Sequence, residues 1–471
     1  MLGIHRLGAQ GAGYYLADLA RELPWAGDLR GGTAEWVGLA AAGLGVRGAV
    51  DPSRLQAVLD GRHPEADRRL RSDRASVLGF DLTFSAPKSV SVVFALGGPE
   101  VARRVLAAHQ EGVRGAVGYV EAHALSSRRG SREQRVVVPA TGLVAASFTH
   151  GVNRNLDPHL HTHVVAANLV HGLDGRWSAC DQRGLFAHKR AAAAVYEAHL
   201  RAELSAHLGV AWDQGPGSRA EIAGVSPLLL GEFSSRSGDI RRHMAAWGSH
   251  SWRGAHVAWA ATRLDKGAGA TFAELSSQWA RRAHALGSTH DELVASLGRR
   301  TAPRDMRYLD EHGFGAALSL APDGAARRRD VVAAFSAAAV AGVPAQNVEQ
   351  LVDLWVPPSP AGRAVGVAED VHPLRRVVPG GHLLDALGPR PVDPVDHAVW
   401  REAAGVIDAY RSRWGVPQGI DALGAAAMPS GISSLPTPRL VDHLHAARSV
   451  EAARQRLGWH ATRALEMGRS R

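Results

Sequence analysis

Three histidines at alternate positions, His159-Leu-His161-Thr-His163, are the residues of this 471-residue chain best suited to chemistry. On a β-strand, residues i and i+2 project from one face, so His161 and His163 can aim two imidazoles at a single metal ion. His150 lies upstream, just after the apolar run 143–149, which also reads as a strand. Three neutral nitrogens leave the ion's charge uncancelled and its other positions open, as in a catalytic rather than a closed structural site. The chain holds 24 histidines, so the spacing needs support, and the half-apolar strand at 164–170 supplies it. His5, His109, His188 and His199, scattered on predicted helices, read as solvated or hydrogen-bonded side chains.

A second reactive pair stands near the N-terminus, Tyr14-Tyr15. A phenol has a pKa near 10, so it attacks well only when a metal or a base helps to deprotonate or orient it. Taken alone, the pair also reads as the start of an amphipathic helix with one ring in the core.

Composition narrows the setting. Lys and Arg total 54 against 45 Asp and Glu, a net charge of +9 that suits a polyanionic partner. Arginines gather at 68–74, 128–135 and 327–329, where they could follow a phosphate backbone. The lysines are Lys88, Lys189 and Lys266, each preceded by a residue other than glycine. A phosphate-cradling loop needs Gly-Lys-Ser/Thr, so no ATP-driven motor is expected. Lone Cys180 excludes an intrachain disulfide and fits a reducing compartment. With no membrane-length apolar run and no leader-like N-terminus, a cytoplasmic location is expected.

The elements that must position these residues follow from period and breakers. Helices are expected from Tyr14 to Leu23, Arg54 to Leu59 and Pro99 to Val120. Strands are expected over Val77–Phe84, Ser89–Ala95 and Arg135–Val138, then at 143–149 and 164–170, with regular strand starting only after Pro158. Asp174-Gly175 signals a hairpin leading into Trp177. Beyond Leu185 the pattern is helical: 185–208, 227–247, 251–264, 271–286 and 290–297. The result is an α+β domain on a largely antiparallel sheet with flanking helices. Boundaries are expected at 1–215 for an α+β core, 216–300 for a helical segment, 301–345 for a helical extension, 346–395 for a Pro/Gly-rich linker and 396–471 for a helical C-terminal region.

Taken in order, Tyr14-Tyr15, then Phe80-Asp81-Leu-Thr-Phe-Ser-Ala-Pro-Lys88-Ser-Val-Ser91, His150 and Asp157-Pro-His-Leu-His161-Thr-His163 resemble the conjugative relaxases of the MobF group, the TrwC/TraI type within the HUH endonuclease superfamily. The resemblance covers residues 1 to about 300. It implies a palm-like core with helical fingers that close over DNA, and a nickase acting on single-stranded plasmid DNA at an origin of transfer. It implies Tyr14 as the attacking residue, forming a 5′-phosphotyrosyl bond that is later resealed without ATP. It further implies His150, His161 and His163 as ligands of a divalent ion, Mg²⁺ or Mn²⁺, with Asp81 beside them. Asp81 then either accepts the tyrosine proton or holds a histidine in its tautomer. Lys88 and Arg154 are candidate DNA contacts, Trp177, Trp212, Trp247 and Trp252 candidate stacking platforms, and His159 a polar neighbour, since the matching family position usually holds glutamine. Relaxosome accessory proteins, a coupling protein and a separate helicase are the implied partners.

This sequence departs from that pattern in lacking a second tyrosine pair several residues after the first. The closing cleavage is therefore left to Tyr15 or to a second molecule. Competing readings are a rolling-circle replication initiator, which shares the tyrosine and histidines, a zinc hydrolase that needs no Tyr14, and an origin-binding protein that does not nick.

Overall fold

In the computed structural model the described residues are 1–19, 34–72, 76–130, 134–153, 155–214, 220–235, 271–295, 325–353 and 394–414, with a few isolated positions beyond them. Arg154, Trp247, Trp252, the helix expected at 251–264, most of the linker expected at 346–395 and most of the C-terminal helical segment lie outside them.

Strand β1 (Leu2–Leu7) opens the chain and leads into helix α1 (Ala9–Leu19), which carries the tyrosine pair. Strand β2 (Glu35–Val37) and helices α2 (Leu39–Gly43) and α3 (Pro52–Leu59) follow. Helix α3 begins as its sequence dictates, with the Asp51 carboxylate accepting from the Arg54 amide at 2.9 Å and Pro52 at the first turn. Next come β3 (Gly79–Ser85), α4 (Lys88–Leu96), α5 (Gly98–His123) and β4 (Ser126–Arg129). The long strands β5 (Val136–Val152) and β6 (Pro158–Gly172) and the short β7 (Trp177–Ser178) complete the sheet. Its main path runs β1-β3-β6-β5-β2, with β4 on β5 and β7 on β6, and every pairing is antiparallel.

One face of this sheet is sealed. Leu82, Phe84, Leu160, Val164 and Ala166 pack under α4, α5 and α6 (Gln182–Leu208). Helix α6 starts at Asp181, whose side chain caps it, and ends at Gly209, which takes the left-handed conformation (φ 62°) that stops a helix at little cost. Beneath β6, buried His109 joins Tyr196 (2.7 Å) and Thr162 (2.8 Å), and Thr162 joins Thr149 (2.8 Å). The opposite face carries a smaller core of Leu7, Tyr15, Leu55, Leu59, Phe148, Val165 and Leu169.

Beyond α6 lie the β8–β9 hairpin (Trp212–Gln214, Ala220–Ile222) and helices α7 (Pro227–Glu232), α8 (Phe272–Ala285), α9 (His290–Ala295), α10 (Arg328–Ala338) and α11 (Ala345–Asp353). A capping box at Thr271 and Glu274 starts α8. Residues 375–471 form a second compact unit, in which Trp400, Ile407 and Tyr410 of α12 (Pro394–Trp414) pack with Ala446 and Val450. No helix among the described residues is long and apolar enough to cross a membrane.

The structure departs from the sequence expectations in several places, and His5, expected on a helix, lies in β1. Ser89–Ala95, expected as a strand, is helix α4, and all seven residues are buried. An element buried all round shows no helical period, so its β-formers misled. Regular strand begins at Pro158 itself, whose carbonyl accepts from Lys88, while the β5–β6 pairing already includes Val152 opposite Pro158. Strand β1 was not anticipated. The expected linker opens with helix α11, where Val348 and Leu351 are buried and Glu349 pairs with His123 of α5 and Arg328 of α10.

Candidate active site

The register of three strands assembles the site. His150 of β5 faces His161 of β6, and His163 of β6 faces Thr83 of β3. Directly opposed residues of an antiparallel pair share a face, as do residues two apart, so His150, His161, His163, Thr83 and Asp81 all project from the side away from α5 and α6. Ring centroids stand 5.1 Å apart for His161–His163, 5.2 Å for His150–His161 and 5.5 Å for His150–His163. One nitrogen from each of the three lies within 4.8 Å of the others, the single such cluster among the described residues.

Two of the rings have their tautomers fixed. His161 Nδ1 donates to its neighbour's main chain, the His159 carbonyl, at 2.8 Å. His163 Nδ1 sits 2.9 and 3.0 Å from the two Asp81 oxygens. In both cases Nε2 is left as the lone-pair nitrogen, the arrangement that orients imidazole toward a metal. Burial, followed by the positive potential of His159, His150 and His163, pushes the His161 pKa well below its ordinary value and keeps the ring neutral. The donor set therefore fits a divalent cation. The His159 ring stacks on His161 at 4.6 Å between centroids.

Asp81 is the hub of the support. Burial alone would raise its pKa, but the hydrogen bond and charge of His163, and the hydroxyls of Tyr15 and Thr83, hold it below the usual carboxylate range. The Tyr15 hydroxyl donates to Asp81 Oδ2 at 2.6 Å and lies 3.0 Å from His163 Nδ1, and its ring packs on Phe148 at 5.3 Å. Tyr15 is 4% exposed. Thr83, which the sequence reading passed over, donates to Asp81 Oδ1 at 3.0 Å. Its place two residues after Asp81 on one strand was the available signal. Tyr14 and Tyr15 both belong to α1, and the helix brings the Tyr15 ring to 5.5 Å from that of His163.

Residues 8–286 match the family model described as TrwC relaxase. The chain belongs to the TrwC relaxase family. It is 38% identical over 219 residues to the multifunctional conjugation protein TraI of Escherichia coli and 36% identical over 219 residues to that of strain K12. Each match spans 44% of this chain and 12% of the relative's length. Among solved structures, the relaxase TrwC in complex with OriT DNA, metal-free, is similar with a TM-score of 0.55 and 28% identity over 62% of this chain and all of that one. Its copper-bound complex gives 0.57 and 29%, and its complex with a 27-mer comprising the recognition hairpin and the cleavage site gives 0.54 and 29%, with the same coverage. The expected α+β architecture is thus that of the relaxase family.

The remaining candidates lie elsewhere. The Lys88 ammonium donates to the carbonyls of Pro158 (2.9 Å) and Phe233 (2.7 Å), and burial lowers its pKa to about 8 against the opposing pull of Asp157 and Glu221. It ties the start of the histidine strand to the segment after α7. Trp212 is buried and donates to Ser205, and Trp177 packs half-buried on His171. Arg129, from one basic cluster, pairs with Asp174.

Proposed function

We propose that this chain is a conjugative relaxase that nicks one strand of plasmid DNA at an origin of transfer by tyrosine transesterification. The observation that carries the proposal is the meeting of three imidazoles, two with fixed tautomers, with a tyrosine-bearing helix on the open face of one sheet. His150, His161 and His163 would hold the ion, and three imidazoles favour Mn²⁺ over the harder Mg²⁺. When bound, the ion supplies Lewis acidity toward a non-bridging phosphate oxygen and a template for the scissile phosphate.

Tyr14 is assigned as the attacking residue. Its phenol oxygen forms a bond to phosphorus, the bond from phosphorus to the 3′ oxygen breaks, and that oxygen leaves with a proton as a free 3′-hydroxyl. The phosphodiester is exchanged for a phosphotyrosyl ester, so attack by a 3′-hydroxyl can reverse the step and reseal the strand. Asp81 is assigned as a positioning residue. A carboxylate held below its usual pKa is a weak base toward a phenol, whereas its contact with His163 Nδ1 fixes that ring. Buried Tyr15 is assigned to the same support, so the closing cleavage falls to a second molecule. The substrate is single-stranded or locally melted origin DNA, with accessory proteins, a coupling protein and a helicase as partners in the cytoplasm.

The test is a labelled oligonucleotide spanning the cognate origin, incubated with the purified chain and Mn²⁺ and run in SDS. An SDS-stable adduct is expected, absent in Tyr14→Phe and retained in Tyr15→Phe. Normal cleavage by Tyr14→Phe without any adduct would sink the transesterase reading and favour hydrolysis.

A further inference from the structure

The turn between β5 and β6 joins two of the three histidine strand positions, and its shape is unusual. Leu156 is the one non-glycine residue with positive φ (59°) among the described residues, a strained conformation that persists only where its surroundings impose it. The ladder also slips between His150 and Val152, a bulge that re-aims the strand next to a histidine. Strain and bulge together mean that the sequence of the turn does not by itself hold His150 opposite His161.

What imposes the shape comes from the helical side of the molecule. Trp279 of α8 donates from Nε1 to the Leu156 carbonyl at 2.8 Å. Arg282, one turn along α8, donates to Asp157 Oδ1 at 3.2 Å, pairs with Glu232 of α7 at 2.8 Å and lies over the Phe233 ring at 4.7 Å. Asp157 is 1% exposed, and its second oxygen accepts from the amide and hydroxyl of Ser235. Asn153 Oδ1 accepts from the amides of Asn155 and Asp157 inside the turn. A charge buried this deeply persists because it is paired, and here its partner lies 125 residues away in sequence on another element.

We propose that Asp157, Arg282 and Trp279 form a clamp by which α7 and α8 position the metal site, holding the β5–β6 turn in the shape that brings His150 and His161 onto one ion. All three are positioning residues, and none lies among the histidines themselves. The proposal rests on the metal site of the preceding reading but not on the nicking reaction. By the reciprocity of linked equilibria, binding of the ion at the histidines would in turn favour the docked position of α8.

The experiment measures Mn²⁺ binding to the full chain without DNA, by electron paramagnetic resonance of the free ion, alongside thermal unfolding. Arg282→Ala is expected to weaken Mn²⁺ binding by about tenfold, the lower end of what outer partners of metal ligands are worth. Arg282→Lys should recover most of it. Asp157→Asn, which keeps the shape and the acceptor oxygen, should weaken binding less than Arg282→Ala does and serves if Arg282→Ala does not fold. Unchanged Mn²⁺ affinity in folded Arg282→Ala or Asp157→Asn overturns the clamp while leaving the relaxase reading intact. Absence of Mn²⁺ binding by the unaltered chain overturns the histidine site and the clamp together.

Discussion

The two faces of strand β6 carry the same kinds of residue and put them to opposite uses. On the face under α5 and α6, His109, Tyr196, Thr162 and Thr149 use their hydrogen-bonding groups on one another. On the other, His161 and His163 each use Nδ1 on a support and keep Nε2 for something else. The difference lies in the partners of each ring: a closed ring of partners makes a histidine part of the core, whereas a single anchored nitrogen leaves its other nitrogen with its lone pair aimed outward. Burial alone does not separate them, since the pKa of His109 and that of His161 are both pushed down by it.

The largest effect should come from the open face. His163→Ala removes a ligand and the partner of Asp81, so Mn²⁺ affinity and adduct formation should fall by more than the roughly 10–100-fold that outer partners cost. Calorimetry with Mn²⁺ and the SDS adduct assay read both. If metal affinity survives, His163 is not a ligand, and the two faces differ less than their geometry suggests.

Asp81→Asn comes next. It keeps the size of the side chain but lets the amide present NH₂ toward His163, undoing the tautomer preference. Metal affinity and nicking rate should drop together by about tenfold, with little loss of Tyr15 packing on Phe148. A drop in rate at unchanged metal affinity would instead return Asp81 to the role of proton acceptor.

The contrast between the faces was half legible in the sequence. Period two at His161 and His163 placed both on one face of a strand, and the register with β5 sets His150 opposite His161. Tyr15 read ambiguously because a helix start does not show which ring meets a sheet. Ser89–Ala95 read as a strand because Val90, Val92, Val93 and Phe94 are buried on every side, and period carries no information there. Lys88 is a candidate DNA contact by its motif, and its partners are two main-chain carbonyls, one of them 145 residues away. Asp157 and Arg282 stayed silent for the same reason, since a pair 125 residues apart has no local signature. Strand-local chemistry was readable, and long-range supports were not.

On the closed face a smaller and different effect is expected. His109→Leu leaves the Tyr196 hydroxyl without its imidazole and removes one partner of Thr162, which costs about 1–3 kcal/mol of stability. Mn²⁺ affinity should not change, because nothing in that network touches an Nε2 of the open face. Chemical denaturation and metal titration of the same preparation check both halves, and a fall in metal affinity comparable to that of His163→Ala would merge the two faces into one network.

The pH dependence of stability is the most direct probe of what keeps the faces distinct. Burial holds the His109 pKa at about 3, with the N-terminal charge and His159 adding to it, against 6.5 for an ordinary histidine. Between those values the unfolded chain takes up a proton that the folded one refuses. The stability His109 contributes is therefore fully present above pH 6.5 and is lost as pH falls toward 3, by about 1.4 kcal/mol per pH unit. His109→Leu lacks this dependence, so the stability advantage of the unaltered chain over the variant should narrow by about that slope between pH 6 and 4.5. Urea unfolding at a series of pH values reads the difference directly, with the other histidines cancelling between the two proteins. Parallel loss in both would mean that a proton reaches His109 in the folded state, and that water enters the face the helices seal.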